Sequence, residues 1–329
     1  MEPRAGAATF APVDAPSERR LRRLAEEIEE AGVALPEGPA GDLVLHEVDR
    51  ALRPVVHERR VPSGGAVLDP RTDPTTWGPA TDLHIAHTVI GDQPLDAARR
   101  FADGMSSWLL RRSDGPDEWL VFDRPAGSER DLGVLAQAFG AVVVQRHPTG
   151  AVRVAGPFGV LRWDGFTWHL EPPVDHWLDV VACTNPDGVR VLRDLLEFAV
   201  HDLGAAGIGA LLVLRPHDEP GPPVEELLPA PPPLRIGRPT HLGPLRHALA
   251  QIDGATVFDR EGVVRKLGVR LVPSAEAEAE VPPVRGTRHT SGRRYSYDDP
   301  HAVVVVVSED GPVSVFRNGV VLGRSGEPG

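Results

Sequence analysis

Residues 284–294 read VRGTRHTSGRR, which sets Arg285, Arg288, Arg293 and Arg294 beside Thr287, His289, Thr290 and Ser291 with no acid in the run. Arginine offers a rigid fork of donors for phosphoryl oxygens, and hydroxyls and backbone amides complete such a cradle. Gly286 and Gly292 permit close backbone approach. The run therefore reads as an anion site, with a solvated basic turn as the plainer reading of the same residues. A second feature is Asp253-Gly254-Ala255 at a helix-to-strand transition. A carboxylate there can hold Mg²⁺ or Mn²⁺ against phosphates or help deprotonate a hydroxyl, although an ordinary Asp-Gly turn has the same sequence. Glu309, directly after the strongest apolar run, is placed for a metal role or is a surface carboxylate. His84 and His87 lack further metal-type neighbours, and Lys266, the single lysine, lacks the GxxxxGK[ST] frame of a phosphate-binding loop.

These residues need elements to hold them. Residues 209–214, GALLVL, form a continuous apolar run suited to a strand buried on both faces, and 302–308, AVVVVVS, predict the strongest strand, which should be central. A helix is expected over 187–203, ended by Gly207, and another over 242–251. Nine prolines from Pro216 to Pro239 predict a loop, since proline lacks the amide that ladders and helices need. Strands are expected over 255–258 and 263–269, a solvated loop over 274–280, and turns at Asp310-Gly311 and Asn318-Gly319. The unit reads as a mixed β-sheet flanked by helices. Upstream, helices are expected over 17–31 and 95–112, and strands over 83–90, 118–122, 140–145, 151–154, 159–163 and 167–170, with an Asp164-Gly165 hairpin. Trp108, Trp119, Trp163, Trp168 and Trp177 are expected in the core or between units. A boundary near residue 175 divides an α/β or α+β unit, 1–175, from the second unit, 176–329.

The 329 residues suit about two domains at roughly 150 residues each. A lone cysteine, Cys183, excludes an internal disulfide and a cysteine zinc cluster, and points to a reducing, cytoplasmic setting. The longest nearly apolar run, 132–144, contains Gln137 and is too short to span a membrane, so no membrane partner is expected. The net charge of −12 opposes binding to DNA, but ten basic and eleven acidic residues nearly cancel from 251 onward, so an anion site there is a local matter.

With those residues in hand, the second unit resembles the diadenylate cyclase domain of bacterial DNA-integrity scanning proteins and membrane-associated cyclases. Gly209-Ala210-Leu211-Leu212 is similar to the family's Gly-Ala-Leu-Ile strand, Asp253-Gly254-Ala255 to its Asp-Gly-Ala motif, and Gly286-Thr287-Arg288-His289 to the start of its Arg-His-Arg motif. Val307-Ser308-Glu309 resembles its Val-Ser-Glu segment. The resemblance covers roughly residues 185–325 and departs from the family at Thr290, which stands where the third motif position has arginine; Arg293 or Arg294 is the candidate replacement. It implies condensation of two ATP into cyclic di-AMP with release of two pyrophosphates, with Mg²⁺ or Mn²⁺ as cofactor, across two domains that face each other in a homodimer. By that resemblance Asp253 positions the metal and helps activate the 3′-hydroxyl, Glu309 assists the metal, Thr287, Arg288, His289 and Thr290 hold the triphosphate, and residues 209–212 shape the adenosine pocket, with Gly254, Ala255, Gly286, Ser291, Arg293 and Arg294 completing the nucleotide site. A nucleotide-binding regulator of the same fold without turnover is the alternative. The first unit resembles the soluble domains that precede some cyclases, with an input ligand or protein, or a scaffolding role, as its expected function.

Overall fold

A computed structural model describes residues 16–56, 61–171, 173–181, 186–217, 221–284, 286–309 and 312–324. Cys183, Arg285 and the Asp310-Gly311 turn lie outside the described residues. In the first unit, α1 (Pro16–Glu30) and α2 (Pro39–Leu52) are followed by β1 (Gly64–Leu68), α3 (Trp77–Thr81), β2 (Ile85–Val89), α4 (Leu95–Ala98), β3 (Ser107–Arg111) and β4 (Glu118–Phe122). Then come α5 (Glu129–Phe139) and a meander of β5 (Val142–Arg146), β6 (Val152–Gly156), β7 (Gly159–Trp163) and β8 (Trp168–Glu171). The eight strands form one sheet in the order β2-β4-β3-β1-β5-β6-β7-β8, in which only β1 and β3 run parallel. Alternation sorts the core: Ala66 and Leu68 meet Leu24, Ile28 and Val48 of α1 and α2, whereas Val67 meets Trp77, Leu132 and Phe139 on the opposite face.

The helix expected over 95–112 is corrected to one short helical turn and a central strand. The carboxylate of Asp103 accepts from the amides of Met105 (2.7 Å), Ser106 (2.8 Å) and Ser107 (3.0 Å), and Gly104 sits at φ 72°, so the chain turns there. Trp108 and Leu110 then face one side of the sheet and Leu109 the other, the period of a strand. Helix α5 falls between the strands expected at 118–122 and 140–145, where no element was expected; Ser128 and Asp131 cap it reciprocally, and Gly140 ends it at φ 58°. Between β7 and β8 the Asp164 carboxylate takes the amides of Phe166 and Thr167, which closes the expected hairpin.

The second unit comprises α6 (Asp175–Val181), α7 (Pro186–Glu197), β9 (Ala210–Leu214), β10 (Val224–Glu225), α8 (Pro239–Leu249), β11 (Ala255–Phe258) and β12 (Val264–Leu271). After these come α9 (Ala275–Glu280), α10 (Thr287–Asp298), β13 (Val303–Val307), β14 (Val313–Arg317) and β15 (Val320–Arg324). The sheet order is β10-β12-β11-β9-β13-β14-β15, with β9 in the middle, parallel to β11 and antiparallel to β13. All residues of β9 and β13 are buried. Leu212 and Val305 pack under Leu195, Phe198 and Leu245, while Leu211, Val304 and Val306 pack under α10 with Tyr295. Gly292 makes that second contact close: a Cβ there would lie 3.0–3.1 Å from Leu211, Val304 and Val306. Residues 274–280, expected as a loop, include helix α9, because the Ser274 hydroxyl accepts from the Ala277 amide and caps it.

The helix that begins with α7 continues as a π-helical turn, Phe198–Leu203, which carries the contact with the first unit. Glu129, at the start of α5, is almost fully buried and accepts from Arg162 of β7 (2.5 and 2.6 Å), while the ring of His201 lies 2.8 Å away. Arg162 also donates to the Val200 carbonyl, and Arg130 pairs with Asp202 at 3.2 Å.

Candidate functional site

The arginine-rich run is a helix start rather than a turn: Gly286, at φ 99°, is the residue before α10, and Thr287 and Arg288 open its first turn. That turn lies at the end of the sheet where β9 and β11 begin and β13 finishes, as the pairing of Ala210 with Val307 and of Leu211 with Ala255 requires. Three separated segments therefore converge. The Arg288 guanidinium reaches Asp253 through Nη2 (3.4 Å) and Glu309 through Nη1 (3.1 Å). Asp253 is almost fully solvent-facing and Arg288 one-third exposed, so the cluster is open to a ligand.

Two glycines make this convergence possible. A Cβ on Gly209 would lie 2.3 Å from Arg288 Nη1 and 2.8 Å from Glu309 Cγ, so the bare backbone there leaves space for both side chains. Gly254 has φ 100°, and a Cβ on it would strike the backbone of Gly268 and Val269 at 2.8–2.9 Å. The Asp-Gly-Ala sequence thus answers to β12 crossing closely beside it.

The other expected site residues are placed differently. Ala210, Leu211, Leu212 and Ala255 are strand residues in the core, which leaves Gly209, Asp253 and Gly254 as the members of those motifs at the cluster. Thr287 is exposed one residue before Arg288, and Ser291 is half-buried one turn further on. His289 turns back toward the sheet, with Nε2 3.4 Å from the Ser314 hydroxyl and its ring edge-on to Phe316. The Thr290 hydroxyl donates to the Val284 carbonyl (2.9 Å) and accepts from the Val284 amide (3.1 Å), which closes the loop before the helix. Arg293 and Arg294 do not join Arg288. Their Nε atoms donate to the carbonyls of Gly319 (2.7 Å) and Val281 (3.2 Å), because helical spacing carries them round to β15 and α9. Tyr295 lies beneath the helix, its hydroxyl pushed up to about 12 by burial, and contributes packing without charge.

Among the described residues no three His, Cys, Asp or Glu side chains gather as a metal cage. Asp253 and Glu309 are two hard oxygen donors at one place, which fits a divalent ion of the Mg²⁺ type, since such ions take most of their ligands from phosphates and water. Sequence reading missed the Gly268 contact under Gly254 and the use of Thr290 as a loop tie; neither has a signal outside three-dimensional packing.

No curated protein matches the chain. Seventeen chains from solved structures do, among them a hypothetical membrane spanning protein from Bacillus cereus, 20% identical, covering 45% of this chain and 68% of its own, with a TM-score of 0.33. No helix among the described residues is long and apolar enough to cross a membrane. Two family models match: "Probable sensor domain DACNK" over residues 22–171, and DAC, "DisA bacterial checkpoint controller nucleotide-binding", over residues 197–321. All three converging segments fall inside the second match, and the eight-stranded sheet falls inside the first. This chain is a DAC-domain protein with an additional N-terminal domain of the DACNK type.

Proposed function

We propose that the chain is a diadenylate cyclase that joins two ATP molecules into cyclic di-AMP with release of two pyrophosphates. The observation that carries this reading is the meeting of Asp253, Arg288 and Glu309 at one end of the sheet of a DAC domain. In each half-reaction a 3′-oxygen forms a bond to the α-phosphorus of the other nucleotide, the bond to pyrophosphate breaks, and the hydroxyl proton departs. The exposed Asp253 carboxylate is the acceptor placed for that proton. Arg288 offers a forked donor to the charge that builds on the phosphoryl oxygens, and the first turn of α10 adds Thr287 and the positive end of the helix dipole beside it. Asp253 and Glu309 would hold a divalent ion, Mg²⁺ or Mn²⁺, which when bound offsets phosphate charge. In-line geometry requires two sites facing each other, so the active form is a homodimer, and the catalytic unit is taken as residues 176–329 behind an input domain of residues 1–175.

Purified full-length protein with ATP and either metal should yield cyclic di-AMP on mass-resolved analysis, and Asp253→Asn should abolish it with the fold intact. Absence of product from dimeric wild-type protein across metal conditions would defeat the proposal. A second reading, a nucleotide-binding regulator without turnover, is favoured by Thr290, whose hydroxyl is engaged by Val284 and whose side chain lacks an arginine's charge. Saturable ATP binding without product would select it.

A further inference from the structure

The first domain contains a cavity of about 760 Å³ on the α2 side of its sheet, lined in part by Gly64, Ala66, Leu109 and Val144. That volume is in the range of small-molecule sites. Its apolar wall is aliphatic, from small residues and proline, with no aromatic ring among the described lining residues to stack a base. Among the described residues its charged lining has four arginines, Arg50, Arg99, Arg100 and Arg146, against two acids, Glu47 and Asp96. The excess is positive in a chain whose net charge is −12.

The arrangement is built rather than incidental. Glu47 is buried and pairs with Arg99 and with Arg111 (2.7 Å), which fixes Arg99 at the wall. Arg50 and Arg99 share the exposed Asp96 at 2.9 and 3.1 Å. Arg146 donates through Nη1 to the Ala51 carbonyl at the end of α2, and burial pulls its guanidinium below the usual arginine range. Arg100 is exposed and makes no ion pair among the described residues. Among the described residues, two guanidinium groups are therefore without a carboxylate at the edge of an aliphatic cavity, an arrangement an anion with a hydrocarbon body would complement.

We infer that this cavity binds a small aliphatic organic anion, its charge facing Arg100 and Arg146 and its carbon body against Ala66, Leu109 and Val144. Carboxylates and phosphate monoesters share that chemistry, and the test separates them. Full-length protein is titrated calorimetrically with butanoate, hexanoate, octanoate, hexyl phosphate, inorganic phosphate and 1-hexanol. Saturable binding at one site per chain is expected for the alkyl anions, tightening by about fourfold per methylene until the chain outgrows the cavity. Hexyl phosphate against hexanoate identifies the preferred headgroup, and 1-hexanol should bind at least about tenfold more weakly than the better of them. Arg100→Ala and Arg146→Met should each weaken that binding by about tenfold. Arg100→Ala removes no ion pair among the described residues, so it remains informative if Arg146→Met loosens α2. No saturable binding by any alkyl anion would overturn the inference. So would equal binding of 1-hexanol, inorganic phosphate binding as tightly as the alkyl anions, or unchanged binding by the Arg100 variant. Binding is read without nucleotide, so a chain that makes no cyclic di-AMP still tests this site.

Discussion

Arg288 divides one guanidinium between Asp253 and Glu309, and both contacts are at the surface. Exposed pairs of this kind contribute at most about 1 kcal/mol, so their purpose is positional rather than stabilising. Asp253→Asn should leave the melting temperature nearly unchanged while product formation falls by about a hundredfold or more, read by a thermal melt and a product assay on one preparation. The two glycines separate function from folding more sharply. The nearest atoms to the added Cβ of Gly209→Ala belong to the flexible side chains of Arg288 and Glu309, so it should displace them and cut turnover at least about tenfold with little loss of stability. Gly254→Ala meets backbone at a positive φ and should cost about 1–3 kcal/mol or more in chemical denaturation. Reversal of this order would show that the cluster does not depend on Gly209. The sequence already named Asp253, Arg288 and Glu309, because a carboxylate after a turn and an arginine in a glycine-flanked run are local signals. It also suggested Arg293 and Arg294 as partners, because a turn would point them the same way as Arg288; a helix distributes these three around its axis, which only the fold reveals.

Helix α10 and the π-helical turn after α7 occupy opposite faces of one sheet. The π turn packs on the sheet from below and, through His201 and Asp202, grips the first domain at Glu129 and Arg130. Burial by itself would raise the Glu129 carboxyl, but hydrogen bonds and charge from His201 and Arg162 together outweigh it and hold the group at about 2. A carboxyl held below its unfolded value of 4.5 gives stability that is complete above that value and lost as pH falls through about 2. Denaturation between pH 5 and 2 should therefore show on the order of 3 kcal/mol of stability disappearing in that window, and Glu129→Gln should remove most of this slope. An unchanged slope in the variant would assign it to other carboxylates. Strands β9, β11 and β13 were legible because continuous apolar runs of strand length have few other uses. The stretch from 95 to 112 misled for the opposite reason: its apolar residues fit helical spacing, and the decisive groups were Asp103 and Gly104, whose turn chemistry overrides periodicity. The π turn has no pattern of its own in the sequence.

The chain joins two sheets with different tasks, one bearing a motif-rich nucleotide domain and the other an arginine-lined cavity. The first was legible because its chemistry is concentrated in short runs, whereas Arg50, Arg99, Arg100 and Arg146 come from scattered positions with no common spacing. If catalysis needs two copies face to face, specific activity should fall on dilution and recover on concentration, with the change tracking the dimer fraction in light scattering. Constant specific activity across the dissociation range would place the whole reaction within one chain. The shared guanidinium has a further consequence. One cation facing two carboxylates gives the cluster a formal charge of −1, so a bare polyphosphate meets a site already in anionic surplus. On the proposed cyclase reading, entry of substrate would be an ion exchange, in which incoming counter-charge accompanies the nucleotide before the arginine changes partners, and the activity of free divalent cation, more than the total supply of nucleotide, would be the throttle on occupancy.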